Sequence, residues 1–385
     1  MTIDRNLRIT RISICLFYFV TGLTFASWAS RIPDIRQNLG LSDGDLGLVL
    51  FAIPLGQLLM MAVSGFLVNR YGSRITLIIS TIAYVMVLNL IPFTESFAGL
   101  FAVLVVFGIS ANLQNIAANT QACFLENIYG RTIMPSFHGV WSLGGLSGGI
   151  LGAVFAQTNM PIAAHFLAVM AMSLIVIAYA DTHLLKEDSS EETAKTKPRF
   201  SLSDIDKSIM LLGVIAFCGM CCEGTLYDWS NVYFATVVKP AASLVRLGYI
   251  AGFAMMTIGR FTAGRFLKHF NESAVLKVSG SLITIGLLTA VSFPYLVPAT
   301  IGFMFIGTGI SSIIPICYSL AGHQNKIPTG IAITVVSSVS FIGFMIGPPV
   351  IGLISDMTNL RVALGLASLL GLAVSVFSFC IKSRK

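Results

Sequence analysis

The chain has 385 residues, of which 55% are hydrophobic and only 11% are charged, and its formal net charge is +7. Soluble domains are about 25% charged. A soluble protein of this composition is excluded, because it could not cover its surface with polar side chains. The basic residues lie in short clusters between apolar stretches and form no single patch. This distribution argues against a nucleic-acid partner and is typical of the charge bias that orients membrane proteins.

Apolar segments follow one another along the whole chain. A membrane-spanning helix needs about 20 mostly apolar residues, and a window of that length predicts an all-α membrane protein with twelve segments. The first segment follows three arginines and continues to about Ala29 with no cleavage site, so we predict a retained span and no signal peptide. The one extended polar stretch, residues 181–207, divides the segments into six and six.

This spacing predicts two six-helix bundles, residues 1–180 and residues 208–385, joined by a cytoplasmic linker over residues 181–207. The two halves resemble each other weakly, which is typical of transporters built from internal repeats. If the N-terminus is inside, 19 of the 24 Lys and Arg residues, Arg260 among them, lie on the cytoplasmic side and 5 lie outside. The bias predicts that both termini are cytoplasmic.

The end of the second segment carries the motif Gly65-Phe-Leu-Val-Asn69-Arg70-Tyr71-Gly72-Ser73-Arg74. It resembles the loop 2–3 signature of the major facilitator superfamily, Gly-x-x-x-Asp-Arg-x-Gly-Arg-Arg, with departures at Asn69 and Ser73. The glycines let the helix end pack closely and turn, and the arginines can bond neighbouring helix ends from the cytosol. Asn69 keeps hydrogen-bonding capacity without charge. The resemblance implies a gating role for Gly65, Asn69, Arg70, Gly72 and Arg74.

Three shorter motifs are similar to the rhizopine-permease (MosC-like) group, which lies near the fucose permeases. They are Trp28-Ala-Ser-Arg31-Ile-Pro33 with Leu41-Ser42, His138-Gly139-x-Trp141-Ser142, and Glu223-Gly224 with Asp228-Trp229. The resemblance implies the major facilitator fold of twelve transmembrane helices. It also implies a transporter of a small polar solute, sugar- or polyol-like, in the lipid bilayer of a bacterial inner membrane.

Polar side chains inside the apolar segments are candidates for the solute site, because an unpaired polar group is costly in lipid. In the fourth segment Asn112, Asn115 and Asn119 form one helical stripe, and Gln114 and Gln121 lie on roughly the opposite face. A helix that is polar on two sides cannot face lipid with either. We expect the Asn stripe to contact the solute, and the alternative is that it bonds neighbouring helices.

Two further candidates lie in the fifth segment and after the first. Trp141 belongs to a glycine-rich segment in which Gly144, Gly148 and Gly152 predict close helix packing, and we expect its ring to contact the solute. Arg31 follows the first segment at the outer boundary. It is either an anchor at the membrane interface or a residue that helps the solute to enter.

Only two of the 17 acidic residues, Glu223 and Asp228, fall inside a segment. Glu223 lies about 24 Å along its helix, near mid-membrane, and Asp228 lies about 7.5 Å further out. In a regular helix the two carboxylates point about 140° apart, so they face one cavity only if Gly224 breaks the helix. Glu223 shares a face with Tyr227 and Ser230, and we predict that Glu223 carries a coupling proton and that Tyr227 contacts the solute. The alternatives are Asp228, or a permanently neutral acid bonded to a neighbouring helix.

The sequence contains no enzyme motif: it lacks a phosphate-binding loop, a metal-spaced histidine pair and a nucleophile elbow. We therefore expect neither metal nor cofactor, and an ion gradient as the energy source. The favoured function is proton-coupled uptake of a small polar solute by a monomeric transporter. The alternatives are export of metabolites or drugs by proton exchange, and a receptor or scaffold that does not transport.

Overall fold

The structure is a computed structural model, and it describes residues 5–130, 133–185, 206–322 and 329–381. Within these ranges the chain is helical and contains no strand, and twelve helices are long and apolar enough to cross a membrane. This architecture confirms the predicted fold class. The expected linker, residues 181–207, lies mostly outside the described residues.

The chain divides into two compact units. Unit 1 comprises residues 1–40 and 49–196, and unit 2 comprises residues 41–48 and 197–385. The boundary between residues 196 and 197 falls inside the predicted linker. The short segment 41–48 belongs to unit 2 although the sequence prediction assigns it to the first bundle.

Six helices of the first half are longer than a single turn: α1 Arg5–Leu39, α2 Asp43–Tyr71, α3 Ser73–Leu88, α4 Phe97–Tyr129, α5 Met134–Gln157 and α6 Ile162–Asp181. In unit 1, α1 packs on α5 and α6, and α3 packs on α4. α1 and α4 continue beyond the predicted spans, because both helices extend into polar flanking sequence that hydropathy does not detect.

The second half contains α7 Lys207–Gly224, α8 Ser230–Tyr233, α9 Leu247–His269, α10 Glu272–Ser292, α11 Leu296–Gly322, α12 Thr329–Met357 and α13 Leu360–Phe377. The seventh span, Lys207–Val238, combines α7 and α8 with two π-helical turns, Thr225–Trp229 and Phe234–Val238. In unit 2, α7 packs on α12 and α10 packs on α11. Each unit therefore packs its first span on its fifth and its third on its fourth, as internal repeats do.

Two side-chain hydrogen bonds join the start of α2 to the end of α12 inside unit 2. Ser42 donates a hydrogen bond to Oδ2 of Asp356 at 2.9 Å, and Ser355 donates one to Oδ2 of Asp43. The two bonds run in opposite directions between the same two helix ends. They explain why the segment 41–48 belongs to unit 2 rather than to unit 1.

Glycines on α5 bring its backbone against α1. A Cβ atom added at Gly144 would collide with the carbonyl oxygen of Phe19, and one at Gly148 would collide with the carbonyl oxygen of Leu23. Gly152 faces the Ser30 side chain at a similarly short distance. The close packing predicted from the glycine spacing is confirmed.

Candidate functional site

A buried ion pair lies in the middle of the seventh span. Glu223 is only 6% exposed, and its Oε1 atom accepts a hydrogen bond from Nη2 of Arg260 at 2.7 Å. The same oxygen accepts a second bond from the Tyr227 hydroxyl. Tyr227 also lies 3.5 Å from the sulfur of Met256. Because Arg260 and Met256 belong to α9, the cluster joins two spans of unit 2.

The local helix geometry explains why Glu223 and Tyr227 meet. The helix does not break at Gly224, whose φ of −58° and ψ of −41° are helical, but widens into the π-helical turn that follows. π-Helical turns are rare in proteins, and those that occur frequently lie at functional sites. Tyr227 stays on the face of Glu223, whereas Ser230, which we expected on that face, donates to the carbonyl oxygen of Leu226.

Arg260 is the functional residue that the sequence analysis missed. The sequence analysis counts Arg260 with the cytoplasmic basic residues, whereas the structure places it inside the eighth span, Ala242–Ala263, where it pairs with Glu223. An arginine within an apolar segment is a signal that could have revealed the pair.

Asp228, the second acidic candidate, lies one turn beyond Glu223 on the same span. It is also buried, with 5% of its surface exposed. Within the described ranges no ion pair or hydrogen bond joins its side chain to another residue. The two carboxyl groups of the span therefore have different surroundings, one paired with a cation and one not.

The three asparagines of α4 have different surroundings. Asn112 accepts a hydrogen bond from Ser64 of α2 at 2.7 Å. Tyr18 of α1 donates to Asn119 at 2.5 Å, and Asn119 in turn donates to Asn115 at 2.5 Å. Asn115 is exposed, whereas the other two are half-buried. The structure thus places Asn112 in a helix contact and leaves Asn115 at the open end of a hydrogen-bond chain.

The two glutamines on the other face of α4 are buried inside unit 1. Gln121 donates to the Ser73 hydroxyl at 2.7 Å and to the carbonyl oxygen of Leu185 at 3.1 Å, and it accepts a bond from the Leu185 amide at 3.0 Å. Gln114 is 2% exposed. Gln121 therefore holds the first part of the predicted linker at Leu185.

Arg31 is buried, with 3% of its surface exposed. Its guanidinium donates to Nδ1 of His165 at 3.3 Å, to Asp34 at 3.1 Å and to the carbonyl oxygen of Met160 at 3.3 Å. These bonds tie the end of α1 to the start of α6. Arg31, Asp34 and Met160 also line a cavity of about 440 Å³ in unit 1.

Trp141, the aromatic solute candidate on α5, is half-buried in unit 1. Its ring lies 6.3 Å from the ring of Phe25 on α1. The structure therefore places Trp141 at the same α1–α5 contact that the glycines form. Tyr227, the other aromatic candidate, is fully inside the cluster of Glu223 and Arg260 described above.

The residues of the loop 2–3 motif lie at the junction of α2 and α3. Gly72 has φ of +82°, a conformation that favours glycine, and it makes the turn into α3. Arg74 donates two hydrogen bonds to Oδ1 of Asp181 on α6, at 3.0 and 2.8 Å. The close packing expected of Gly65 is not found among the described residues, since none of their atoms lies within 4 Å of a Cβ atom added there.

The remaining two residues of that motif, Asn69 and Arg70, are exposed. The guanidinium of Arg70 lies 5.6 Å from the ring centre of Tyr71 and 5.9 Å from that of Phe66. These are cation–π distances, and at an exposed site such contacts contribute only about 0.5–1 kcal/mol. Arg70 is therefore held loosely, in contrast to Arg74.

The sequence profile of the Major Facilitator Superfamily matches residues 14–330. The chain belongs to this superfamily. The resemblance seen in the loop 2–3 motif is thereby confirmed, and as a member of the Major Facilitator Superfamily the protein is a multi-pass membrane transporter and not an enzyme.

Relatives in the Major Facilitator Superfamily match over nearly the full length. An uncharacterized transporter of Yersinia pestis is 31% identical over 368 residues, which is 95% of this chain and 94% of the relative. Membrane protein MosC of Rhizobium meliloti is 29% identical over 374 residues, which is 97% of this chain and 89% of the relative. The similarity to the MosC-like group, inferred from three short motifs, is thus confirmed.

Solved structures of the Major Facilitator Superfamily show the same fold. The nucleoside transporter NupG, in a mutant form, superimposes with a TM-score of 0.79 at 12% identity, covering 96% of this chain and 99% of NupG. FucP in the outward conformation gives a TM-score of 0.64 at 16% identity, covering 98% of this chain and 99% of FucP. At these identities the likeness establishes the fold and nothing further.

Proposed function

We propose that the protein is a secondary transporter that takes up a small polar solute together with protons by alternating access, and that Glu223 carries the proton. The observation that carries the proposal is the Glu223–Arg260 ion pair inside a membrane span. Ionisable residues within spans are expensive and mark ion or solute pathways. No P-loop is present to supply energy from a nucleotide.

The coupling follows from the electrostatics of the pair. In the described arrangement Arg260 and Tyr227 donate to one carboxylate oxygen, so the cluster is electrically neutral. If Arg260 moves away, the carboxylate is left buried without a cation, at a cost of several kcal/mol. Binding a proton removes that cost. Opening the ion pair and binding a proton are therefore linked, as a proton-driven cycle requires.

The solute class is supported by the polar groups of unit 1. The chain of Tyr18, Asn119 and Asn115 ends in an exposed amide within an apolar helix, where it can bond hydroxyl or carbonyl groups. One structure with the same fold is named a nucleoside transporter, and a nucleoside is a polar solute. We propose that Asn115 and Asn119 contact the solute and that Asn112 serves helix packing.

The proposed setting is the inner membrane of a bacterium, with a monomer whose termini and linker, residues 181–207, are cytoplasmic. The predicted excess of basic residues on that side supports this orientation. In this orientation Gly65, Asn69, Arg70, Gly72 and Arg74 lie on the cytoplasmic side, where we propose that they control closure. The Arg74–Asp181 ion pair is the contact that supports the role of Arg74.

The test is uptake by purified protein in proteoliposomes with an acidic exterior, using labelled glucose, glucosamine and glucuronate. Glu223→Gln keeps an oxygen that accepts from Arg260 but cannot bind the proton. We expect it to exchange solute and to lose gradient-driven accumulation. Glu95→Gln, the same change at an exposed residue outside the helices, is the matched control. Full accumulation by Glu223→Gln would sink the proposal, and accumulation only with the opposite gradient would indicate export.

A further inference from the structure

Two buried polar groups near the π-helical turn of the seventh span have no partner among the described residues. The hydroxyl of Tyr249 is fully buried and makes no hydrogen bond. Asp228 as a residue is 5% exposed, and no hydrogen bond or ion pair joins its carboxyl group to another residue within the same ranges. Neither residue takes part in the ion pair that we propose as the proton site.

The packing of α9 brings these two residues together. The ring centres of Tyr249 and Phe253 are 5.2 Å apart, and those of Phe253 and Tyr227 are 5.3 Å apart. The row leads from Tyr249 to Tyr227, the residue that precedes Asp228 in the π-helical turn, and Asp228 acts electrostatically on Tyr249. The hydroxyl of Tyr227, at the other end of the row, donates to Glu223.

Such an arrangement is unfavourable for the chain alone. Buried polar groups are almost always hydrogen-bonded, and each exception needs an explanation. Leucine and phenylalanine would fill the same space with no cost of lost hydrogen bonds. A partner that comes from outside the chain accounts for both residues, and a transporter has such a partner in its solute.

We propose that Asp228 and Tyr249 form a subsite of unit 2 that receives a hydrogen-bond donor of the transported solute, a hydroxyl or a protonated amine. A carboxyl oxygen accepts a hydrogen bond from a hydroxyl, and an ionised carboxylate also pairs with a protonated amine. The inference rests on the proposed function, because it specifies which part of the solute unit 2 binds. It assigns to Asp228 a role different from that of Glu223.

The test measures binding of glucose, glucosamine and glucuronate to the purified protein by isothermal calorimetry. Glucosamine and glucuronate have the ring of glucose, and each differs from glucose in a single group. If the donor is an amine, Asp228→Asn weakens glucosamine binding about tenfold or more and glucose binding much less, because the charge-assisted bond is lost. If the donor is a hydroxyl, Asp228→Ala and Tyr249→Phe weaken glucose and glucosamine binding alike, by about threefold to tenfold.

Tyr233→Phe is the matched control, since the Tyr233 hydroxyl donates to the carbonyl oxygen of Ala290 and serves packing. Unchanged binding of all three sugars by Asp228→Ala and Tyr249→Phe would overturn the subsite, while the Glu223→Gln result would leave proton coupling intact. Failure of all three sugars to bind the wild type would overturn the solute class and the subsite with it.

A measurement on the wild-type protein tests the proposal even if the Asp228 and Tyr249 variants fail to fold. Dicyclohexylcarbodiimide modifies carboxyl groups inside membrane proteins, and mass spectrometry locates the modified residue. We expect a bound sugar to protect Asp228 of the wild-type protein from this reagent. Modification of Asp228 at the same rate with and without bound sugar would contradict the proposal.

Discussion

The guanidinium of Arg260 lies 2.7 Å from the Glu223 carboxylate, and the two residues are 37 positions apart in the sequence. Glu223 is almost fully buried and Arg260 is mostly so. Breaking a buried pair by removing one partner costs about 3–5 kcal/mol, whereas replacing both partners by uncharged groups is often nearly neutral. This asymmetry allows the pair to be recognised by experiment.

Arg260→Met should lower the melting temperature of the purified protein markedly, because it leaves the Glu223 carboxylate buried without a cation. The double variant Glu223→Gln/Arg260→Met removes both charges and should recover much of that loss. The measurement is thermal unfolding in detergent. If the two single changes simply add in the double variant, the residues do not interact and the proposed proton site loses its basis.

Asn115→Leu should weaken binding of whichever of the three sugars the wild type binds, with little change in melting temperature, because Asn115 is exposed. Asn112→Leu is the comparison, since it removes the acceptor of the Ser64 hydroxyl and should affect stability more than affinity. Calorimetry and thermal unfolding separate the two effects. Normal sugar affinity in Asn115→Leu would assign the whole stripe to packing.

Gly144→Val should prevent correct assembly of unit 1, because the added Cβ atom would collide with the carbonyl oxygen of Phe19 on α1. Backbone atoms cannot move aside as a flexible side chain can. Gly65→Val makes the same chemical change where space is open, and it should yield normal amounts of folded protein. Gel filtration of the two variants is the measurement. A monodisperse Gly144→Val protein with the wild-type melting temperature would contradict the close α1–α5 packing.

Arg70→Ala should leave the melting temperature nearly unchanged, because Arg70 is exposed and makes only weak contacts with aromatic rings. It should slow solute turnover, because we propose that Arg70 helps to control closure on the cytoplasmic side. Arg74→Ala removes a partly exposed ion pair with Asp181 and should cost up to about 1 kcal/mol. Transport rates and equilibrium sugar affinity are measured for both variants. A loss of affinity in Arg70→Ala that matches its loss of rate would rule out a purely gating role.

The sequence predicts the spans well, because lipid imposes a minimum length of apolar helix and a high cost on charge. The same cost singles out Glu223 and Asp228, the two acids inside a segment. The cost of charge also applies to Arg260, which lies in an apolar segment. The sequence analysis assigned it to the cytoplasmic basic residues instead and so did not consider it as a partner of Glu223.

Other features of the site could not be predicted from sequence. Tyr18 and Asn119 are 101 positions apart, and no local pattern shows that they bond. The burial of Arg31 depends on His165 and Met160, which are equally remote in the chain. The π-helical turn after Gly224 has no sequence pattern of its own, so the positions of Tyr227 and Asp228 required the structure.

The two compact units of the structure do not coincide with the two halves of the sequence that the predicted linker separates. Ser42 and Asp43 precede most of α2 in the sequence but bond to Asp356 and Ser355 in unit 2. A fragment that starts after the linker would therefore lack part of its own unit, and its α12 would end with two side chains deprived of their partners. Expressing the halves as separate genes should yield a stable second fragment only when the first is produced in the same cell.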